Sequence, residues 1–126
     1  MNIQAKFDHF NINVTNLDRS IEFYNKALGL TELRRKSSSD GSFTLVYLTD
    51  NVTGFALELT WLRDHTQAYQ LGENESHLCF RVDGDYDQVR EYHKEMDCVC
   101  YENHDMGLYF IVDPDGYWIE VLPSKY

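Results

Sequence analysis

The feature that most constrains the fold is a short pattern that occurs twice in the chain. Residues 7–14 and 76–82 alternate between polar and apolar residues, and each has a histidine on its polar side: His9 in the first and His77, 68 positions later, in the second. The apolar sides consist of Phe10, Ile12 and Val14 in the first segment and of Leu78, Phe80 and Val82 in the second. Alternation with a period of two predicts two β-strands, each with one buried face.

Each predicted strand is followed by a segment with helical spacing of its apolar residues. In the first segment Asn16 is a suitable N-cap and Gly29 stands where a helix would end, and in the second a helix is predicted over about 86–96. The apolar stripes are Leu17, Ile21, Tyr24 and Leu28 in the first helix and Val89, Tyr92 and Met96 in the second. The same 68-residue offset matches Val14 with Val82, Ile21 with Val89, and Tyr24 with Tyr92. We therefore expect these matched residues to occupy equivalent positions.

Further strands complete each half. They are predicted over 43–49, 54–61, about 107–112 and about 117–122. The last two are separated by Asp113-Pro114-Asp115-Gly116, in which Pro at the second position and Gly at the last predict a hairpin turn. Turns are also predicted at Asp50–Gly54 and over the polar stretch 34–41, and a connection over 62–76.

The shared order of strand, helix and further strands indicates a duplication. We place the half-repeats at about 5–61 and 75–123 within a single domain of 126 residues. Half-domains of this size would be marginally stable alone, so their sheets are expected to pack side by side. The predicted class is α+β.

Composition excludes several kinds of partner. With 11 Lys and Arg against 21 Asp and Glu, the net charge of −10 argues against binding to nucleic acid or to an anionic membrane. No apolar run approaches the roughly 20 residues of a membrane span, and no N-terminal signal peptide is apparent. Three cysteines without a Cys-x-x-Cys pair predict neither a disulfide framework nor a thiolate metal site. We therefore expect a soluble cytoplasmic protein.

The candidate chemistry lies in two histidines and two glutamates at equivalent positions. Each half opens with a histidine, His9 or His77, and closes with a glutamate on the polar side of its last strand, Glu58 or Glu120. A carboxylate among apolar neighbours is costly unless a positive charge meets it. Imidazole and carboxylate together suit zinc, nickel, cobalt or iron better than calcium or magnesium. The four residues therefore predict one divalent metal site with open positions for a substrate.

Each of these residues also has a simpler interpretation. A single histidine on a strand is most often a solvated residue, and a glutamate in mid-strand is usually on the solvent face of a sheet. The repetition is what favours the metal. We interpret the remaining histidines as surface residues: His65, His93 and His104. Cys79 could line a pocket beside His77, although a small buried hydrophobe is the favoured interpretation, and 98–100 is expected at the edge of a strand or in a turn.

From Asp8 to Leu122 the sequence resembles the vicinal-oxygen-chelate superfamily, and within it the short bacterial form of glyoxalase I (lactoylglutathione lyase). The residues that carry the resemblance are 8–14, 17–24, 27–30, 57–60, 113–117 and 118–121. The resemblance implies two tandem βαβββ modules that form an eight-stranded, open, barrel-like sheet with helices outside. The opening motif and the Asp-Pro-Asp-Gly hairpin are general to the superfamily, whereas Glu58 is more typical of glyoxalase I than of dioxygenases, fosfomycin-resistance transferases or methylmalonyl-CoA epimerase.

By this resemblance the metal ligands are His9, Glu58, His77 and Glu120. The implied reaction is isomerisation of the hemithioacetal of methylglyoxal and a thiol to an S-lactoyl thioester, a detoxifying step. Glu120 is the expected general base, with Glu58 a ligand and a second candidate acid or base. The resemblance further implies nickel or cobalt in preference to zinc, and a homodimer. Whether one site takes its four ligands from one chain or from two is left open.

The sequence departs from the glutathione-dependent pattern at two positions. Asn13 replaces an arginine four residues after the first histidine, and Leu62 replaces an asparagine four residues after the second ligand. The equivalent of Asn13 in the second half is Arg81, which could anchor the thiol from the pseudo-symmetric position or could form a salt bridge at the surface. The thiol could therefore be glutathione or another thiol. Alternative functions for the same fold are that of an acyl-CoA epimerase and that of a non-catalytic resistance protein that binds a small molecule.

Overall fold

The computed structural model describes residues 1–125, which divide into two compact units, 1–69 and 70–125. The elements of the first unit are β1 (His9–Val14), α1 (Leu17–Leu28), β2 (Thr31–Ser37), β3 (Phe43–Thr49) and β4 (Ala56–Leu62). Those of the second unit are β5 (Leu78–Val82), α2 (Tyr86–Glu95), β6 (Val99–Asn103), β7 (Leu108–Val112) and β8 (Trp118–Pro123). Within residues 1–125, no helix is long and apolar enough to cross a membrane.

The two units have the same strand connectivity. In the first the strand order is β1-β4-β3-β2, with β1 parallel to β4 and the other pairs antiparallel. In the second the order is β5-β8-β7-β6, again with the first strand parallel to the last. The predicted α+β class and the pair of βαβββ modules are confirmed. Hydrogen bonds join the eight strands into two sheets of four.

The first helix begins and ends where the sequence predicts. The side chain of Asn16 accepts a hydrogen bond from the backbone N–H of Arg19 at 3.0 Å, which satisfies a donor of the first turn. Gly29 ends the helix with φ at 70°, a left-handed conformation that a glycine adopts without strain. Between them Tyr24 is fully buried, so this helix packs on the stripe that contains it.

The second helix has a different register from the one predicted. Its N-cap is Asp85, whose carboxylate accepts from the N–H of Gln88 at 3.1 Å, and this places the cap 69 positions after Asn16. The connection from β5 to α2 is therefore one residue longer than that from β1 to α1. As a result His93, and not Tyr92, is the buried equivalent of Tyr24: His93 is 0% exposed and Tyr92 is 45% exposed.

The interpretation of all remaining histidines as surface residues is thus wrong for His93. Its Nδ1 lies 2.8 Å from the hydroxyl of Tyr109, a buried residue of β7, so the imidazole is hydrogen-bonded inside the second unit. His65 is half-buried and stacks on Tyr69, with ring centroids 3.9 Å apart. His104 is exposed, as predicted.

The predicted turn over 34–41 is also wrong in its first part, because β2 covers Thr31–Ser37. Every residue of this strand is exposed, and its sequence has no apolar alternation. It is an edge strand of its sheet, paired with β3, and because all seven of its residues are exposed it has no buried face that selects apolar residues. A polar, charged edge also discourages pairing with another chain.

The hairpin turn between β7 and β8 forms as predicted. The carboxylate of Asp113 accepts hydrogen bonds from the N–H groups of Asp115 and Tyr117, at 2.9 and 3.0 Å. Gly116 adopts φ of 94° and its N–H donates to the carbonyl of Asp113 at 3.0 Å. The turn fixes the register that brings Trp118 opposite Val112 and thereby places the strand that contains Glu120.

Candidate functional site

The first candidate pair lies on the two parallel strands β1 and β4. Glu58 lies between Leu57 and Leu59, which are buried, so strand alternation directs its carboxylate to the opposite face of the sheet. His9 is at the start of β1, and its Nε2 lies 3.8 Å from Oε1 of Glu58. The two side chains remain accessible, at 38% for His9 and 12% for Glu58.

The second candidate pair has the same arrangement in the second unit. Glu120 lies between the buried residues Ile119 and Val121 of β8. His77 immediately precedes β5, the parallel neighbour of β8, and its Nε2 lies 3.1 Å from Oε1 of Glu120. The structure thus brings His9 to Glu58 and His77 to Glu120. Among residues 1–125 it forms no group of three or more His, Cys, Asp or Glu side chains that could hold a metal ion.

In both pairs Nδ1 of the imidazole lies within hydrogen-bond distance of an acceptor. Nδ1 of His9 lies 2.6 Å from Oδ2 of Asp8, and Nδ1 of His77 lies 3.0 Å from the backbone carbonyl of Glu75. A carboxylate or carbonyl oxygen only accepts, so Nδ1 is the donor in each contact. The hydrogen bond from His9 also holds the pKa of the Asp8 carboxyl below its usual range.

These contacts test whether the residues fit a metal ion. A neutral imidazole that donates through Nδ1 presents the lone pair of Nε2, and here each Nε2 faces a carboxylate oxygen. Two acceptors that face each other are stabilised by a cation, and a second acceptor on Nδ1 is the usual support of a metal-ligating histidine. The donor chemistry of these residues therefore fits a divalent ion.

An aromatic ring packs against each histidine, and the two rings differ. His9 makes an edge contact with Tyr47, with centroids 5.5 Å apart, and His77 makes one with Phe110 at 4.9 Å. Sequence reasoning did not single out either ring. The available signal was their place in β3 and β7, on strands adjacent to the ones that contain the glutamates.

Cys79 is exposed and lies opposite Glu120 in the β5–β8 register, so its favoured interpretation as a small buried hydrophobe is wrong. Partial burial of the sulfur and the negative charge of Glu120 raise the pKa of its thiol to about 11. The group is therefore a protonated thiol at neutral pH. Cys98 is buried, and the segment it begins leads into the edge strand β6, as expected.

The two candidate substrate contacts have polar partners of their own. Oδ1 of Asn13 accepts a hydrogen bond from Asn11 at 2.9 Å, on the same side of β1 as His9. The guanidinium of Arg81 donates to the backbone carbonyl of Pro123 at 2.8 Å. Arg81 is exposed and shares one side of its strand with Cys79, the side on which His77 precedes it. Both assignments stay predictions.

Comparison with known proteins gives the family. A family model described as Glyoxalase/Bleomycin resistance protein/Dioxygenase superfamily matches residues 6–121. The chain belongs to this superfamily. One similar protein is a lactoylglutathione lyase of Neisseria meningitidis, which is 35% identical to this chain over 124 residues. The match covers 93% of this chain and 89% of that protein.

Solved structures agree with the sequence relatives. A trypanothione-dependent glyoxalase I of Leishmania major matches with a TM-score of 0.83 and 33% identity, over 95% of this chain and 87% of that one. Glyoxalase I of Zea mays matches with a TM-score of 0.81 and 26% identity, over 96% of this chain but 45% of the maize chain. Within the superfamily this member is therefore similar to lyases of the glyoxalase I type.

Proposed function

We propose that this chain is a metal-dependent lyase of the glyoxalase I type, which isomerises the hemithioacetal of methylglyoxal and a thiol to the S-lactoyl thioester. The class of the reaction rests on relatives named lactoylglutathione lyase and on a neighbouring structure named glyoxalase I. The single observation that carries the proposal is the repeated arrangement of His9 with Glu58 and His77 with Glu120, each imidazole supported through Nδ1.

The proposed cofactor is one divalent ion per site, held by His9, Glu58, His77 and Glu120, with nickel or cobalt preferred to zinc. When bound, the ion would supply positive charge that stabilises the negative charge developing on the substrate oxygens. The pairs belong to different units, and the proposal leaves open whether they come from one chain or from two chains of a homodimer. Free cysteines are consistent with the proposed cytoplasmic location.

The proton transfer is assigned to Glu120. Its carboxylate is 17% exposed, so a substrate can reach it. It takes the proton from C1, the hemithioacetal carbon, and returns it to C2, the ketone carbon, while the hydroxyl proton on the C1 oxygen passes to the C2 oxygen. C1 is thereby oxidised to the thioester level and C2 is reduced to the alcohol. The substrate is its own oxidant and reductant, so no redox partner is required.

The identity of the thiol is the finer part of the proposal. The Leishmania major glyoxalase I to which this chain is similar is trypanothione-dependent. In this chain Asn13 and Arg81 are the proposed thiol contacts, and Arg81 is the one that offers a positive charge. Glutathione and trypanothione are therefore the two cosubstrates to compare.

The decisive experiment is titration of metal-stripped protein with nickel, cobalt and zinc, followed by thioester absorbance with methylglyoxal and each thiol. We expect activity to return at about one ion per site and to be lost in His9→Ala and His77→Ala. His104→Ala, which changes an exposed histidine, should match the wild type. Full activity of the metal-stripped protein, or of His77→Ala, would overturn the proposal.

Mixing two inactive variants determines the origin of the ligands. If one ion takes ligands from two chains, a mixture of His9→Ala and His77→Ala forms some heterodimers with one intact set of four ligands, and activity returns. If all four ligands belong to one chain, every chain in the mixture lacks a ligand. The mixture then stays inactive.

A further inference from the structure

The two carboxylates occupy equivalent positions in their sheets but have different neighbours. In the β3–β4 pairing Tyr47 lies opposite Glu58, and its hydroxyl donates a hydrogen bond to Oε2 of that carboxylate. In the β7–β8 pairing the residue opposite Glu120 is Phe110, which has no hydroxyl to donate. The pseudo-symmetry of the two units is therefore broken beside the carboxylates.

Tyr47 is itself held firmly. It is 8% exposed, and the guanidinium carbon of Arg34 lies 3.7 Å from the centroid of its ring. The ring also contacts the imidazole of His9 edge-on. A cation over the ring and an edge contact beside it restrict the rotation of the tyrosine. Its hydroxyl is thus a fixed donor.

The hydrogen bond engages one oxygen of Glu58 and leaves the other toward Nε2 of His9, at 3.8 Å. Rotating this carboxylate away from His9 would break the bond to Tyr47. Among residues 1–125 the residue paired opposite Glu120 is Phe110, and no tyrosine hydroxyl is hydrogen-bonded to that carboxylate. Beside it are His77, at 3.1 Å, and the thiol of Cys79, and a thiol is a weak donor. Moving Glu58 therefore breaks a hydrogen bond from a phenol, whereas moving Glu120 breaks its contacts with His77 and Cys79.

We propose that Tyr47 is a positioning residue that keeps Glu58 in place as a metal ligand and thereby leaves Glu120 as the carboxylate that moves the proton. This inference rests on the proposed function and deepens it. Two chemically identical groups in a duplicated fold receive different roles because the aromatic residue opposite Glu58 has a hydroxyl and the one opposite Glu120 has none.

The first test measures the metal and needs no turnover. Nickel or cobalt is titrated into metal-stripped wild type and Tyr47→Phe, and the cobalt absorption spectrum is recorded. Loss of a supporting hydrogen bond to a ligand should weaken metal binding by about 10- to 100-fold. We also expect the cobalt spectrum to change. Tyr109→Phe is the matched control, because it removes another buried tyrosine hydroxyl contact, that with His93. It should bind metal like the wild type.

The second test separates the roles of the carboxylates. Glu58→Gln and Glu120→Gln are made with Tyr47 and with Phe at position 47, and kcat is measured at saturating metal. With Tyr47 present, Glu120→Gln should lose more kcat than Glu58→Gln. In the Tyr47→Phe background the loss from Glu120→Gln should shrink, because Glu58 is then freer to act in its place.

Phe110→Tyr tests the same idea from the other side and guards against a Tyr47→Phe protein that does not fold. A hydroxyl opposite Glu120 should lower kcat without weakening metal binding. The inference is overturned if Tyr47→Phe binds metal as the wild type does and the loss from Glu120→Gln is the same in both backgrounds. In that case the wild type still binds metal and the proposed function stands, whereas a wild type that binds no metal would overturn the proposed function and the inference together.

Discussion

Nε2 of His77 lies 3.1 Å from Oε1 of Glu120, although 43 residues separate the two in sequence. Nδ1 of the same imidazole lies 3.0 Å from the backbone carbonyl of Glu75, so the ring is oriented by the main chain. His9 is oriented instead by a side chain, the carboxylate of Asp8. The contact that orients His9 can therefore be removed by a side-chain substitution, whereas the contact that orients His77 cannot.

Asp8→Ala should weaken metal binding by about 10- to 100-fold, because His9 then loses the acceptor that keeps the proton on Nδ1. Asp8→Asn should recover part of the loss, since its amide oxygen can still accept. Calorimetric titration with nickel measures both. Asp105→Asn, a change at an exposed aspartate, is the control. Unchanged affinity in Asp8→Ala would show that the contact does not support the ligand.

Arg81→Ala should raise KM for the hemithioacetal with little change in kcat, because a charge that anchors the thiol acts equally in the ground and transition states. The measurement compares glutathione and trypanothione. Arg63→Ala is a suitable control, since this arginine contacts Asp64 and the backbone of Asp40 in the first unit. An unchanged KM with both thiols would remove Arg81 from the site.

The one-residue shift in the second helix predicts unequal effects at two tyrosines that the 68-residue offset pairs. Tyr24→Ala should reduce the free energy of unfolding by about 3–5 kcal/mol, because the ring is fully buried. Tyr92→Ala should cost about 1 kcal/mol or less, because this tyrosine is 45% exposed. Urea unfolding followed by circular dichroism checks both, and equal losses would contradict the register.

The two helix caps should contribute similarly to stability. Asn16→Ala and Asp85→Ala each remove a side-chain acceptor from the first turn of a helix. Each should lower the free energy of unfolding by about 1 kcal/mol. The corresponding glycine variants should lower the free energy of unfolding by only about a few tenths of a kcal/mol. A cost near zero for Asp85→Ala would argue against the start of α2 at this position.

Asp40 predicts a pH dependence in acid. Hydrogen bonds with Ser42 and Ser38 lower the pKa of its carboxyl from 3.8 to about 2. A pKa that is lower in the folded chain than in the unfolded chain adds stability above the unfolded value, and this stability is lost as the pH falls from about 4 to about 2. The difference in urea midpoint between wild type and Asp40→Asn should therefore shrink over that range. A constant difference would contradict the assignment.

The sequence predicted those parts of the fold that a buried face or a turn residue determines. Asn16, Gly29 and the Asp113–Gly116 turn could be placed because their roles are local. The edge strand β2 could not, since it has no buried face to impose alternation. The register of α2 was missed because one extra residue before the helix rotates its stripe by about 100°, which a fixed offset does not detect.

The sequence by itself determined the duplicated pattern, the two histidines and two glutamates at equivalent positions, and the family to which the chain belongs. Tertiary structure alone decided which groups surround them. Only strand pairing places Tyr47 beside Glu58 and Phe110 beside Glu120, because residues that are remote along the chain become neighbours through hydrogen bonds between strands. The physical difference between the two carboxylates is therefore a property of the folded sheets.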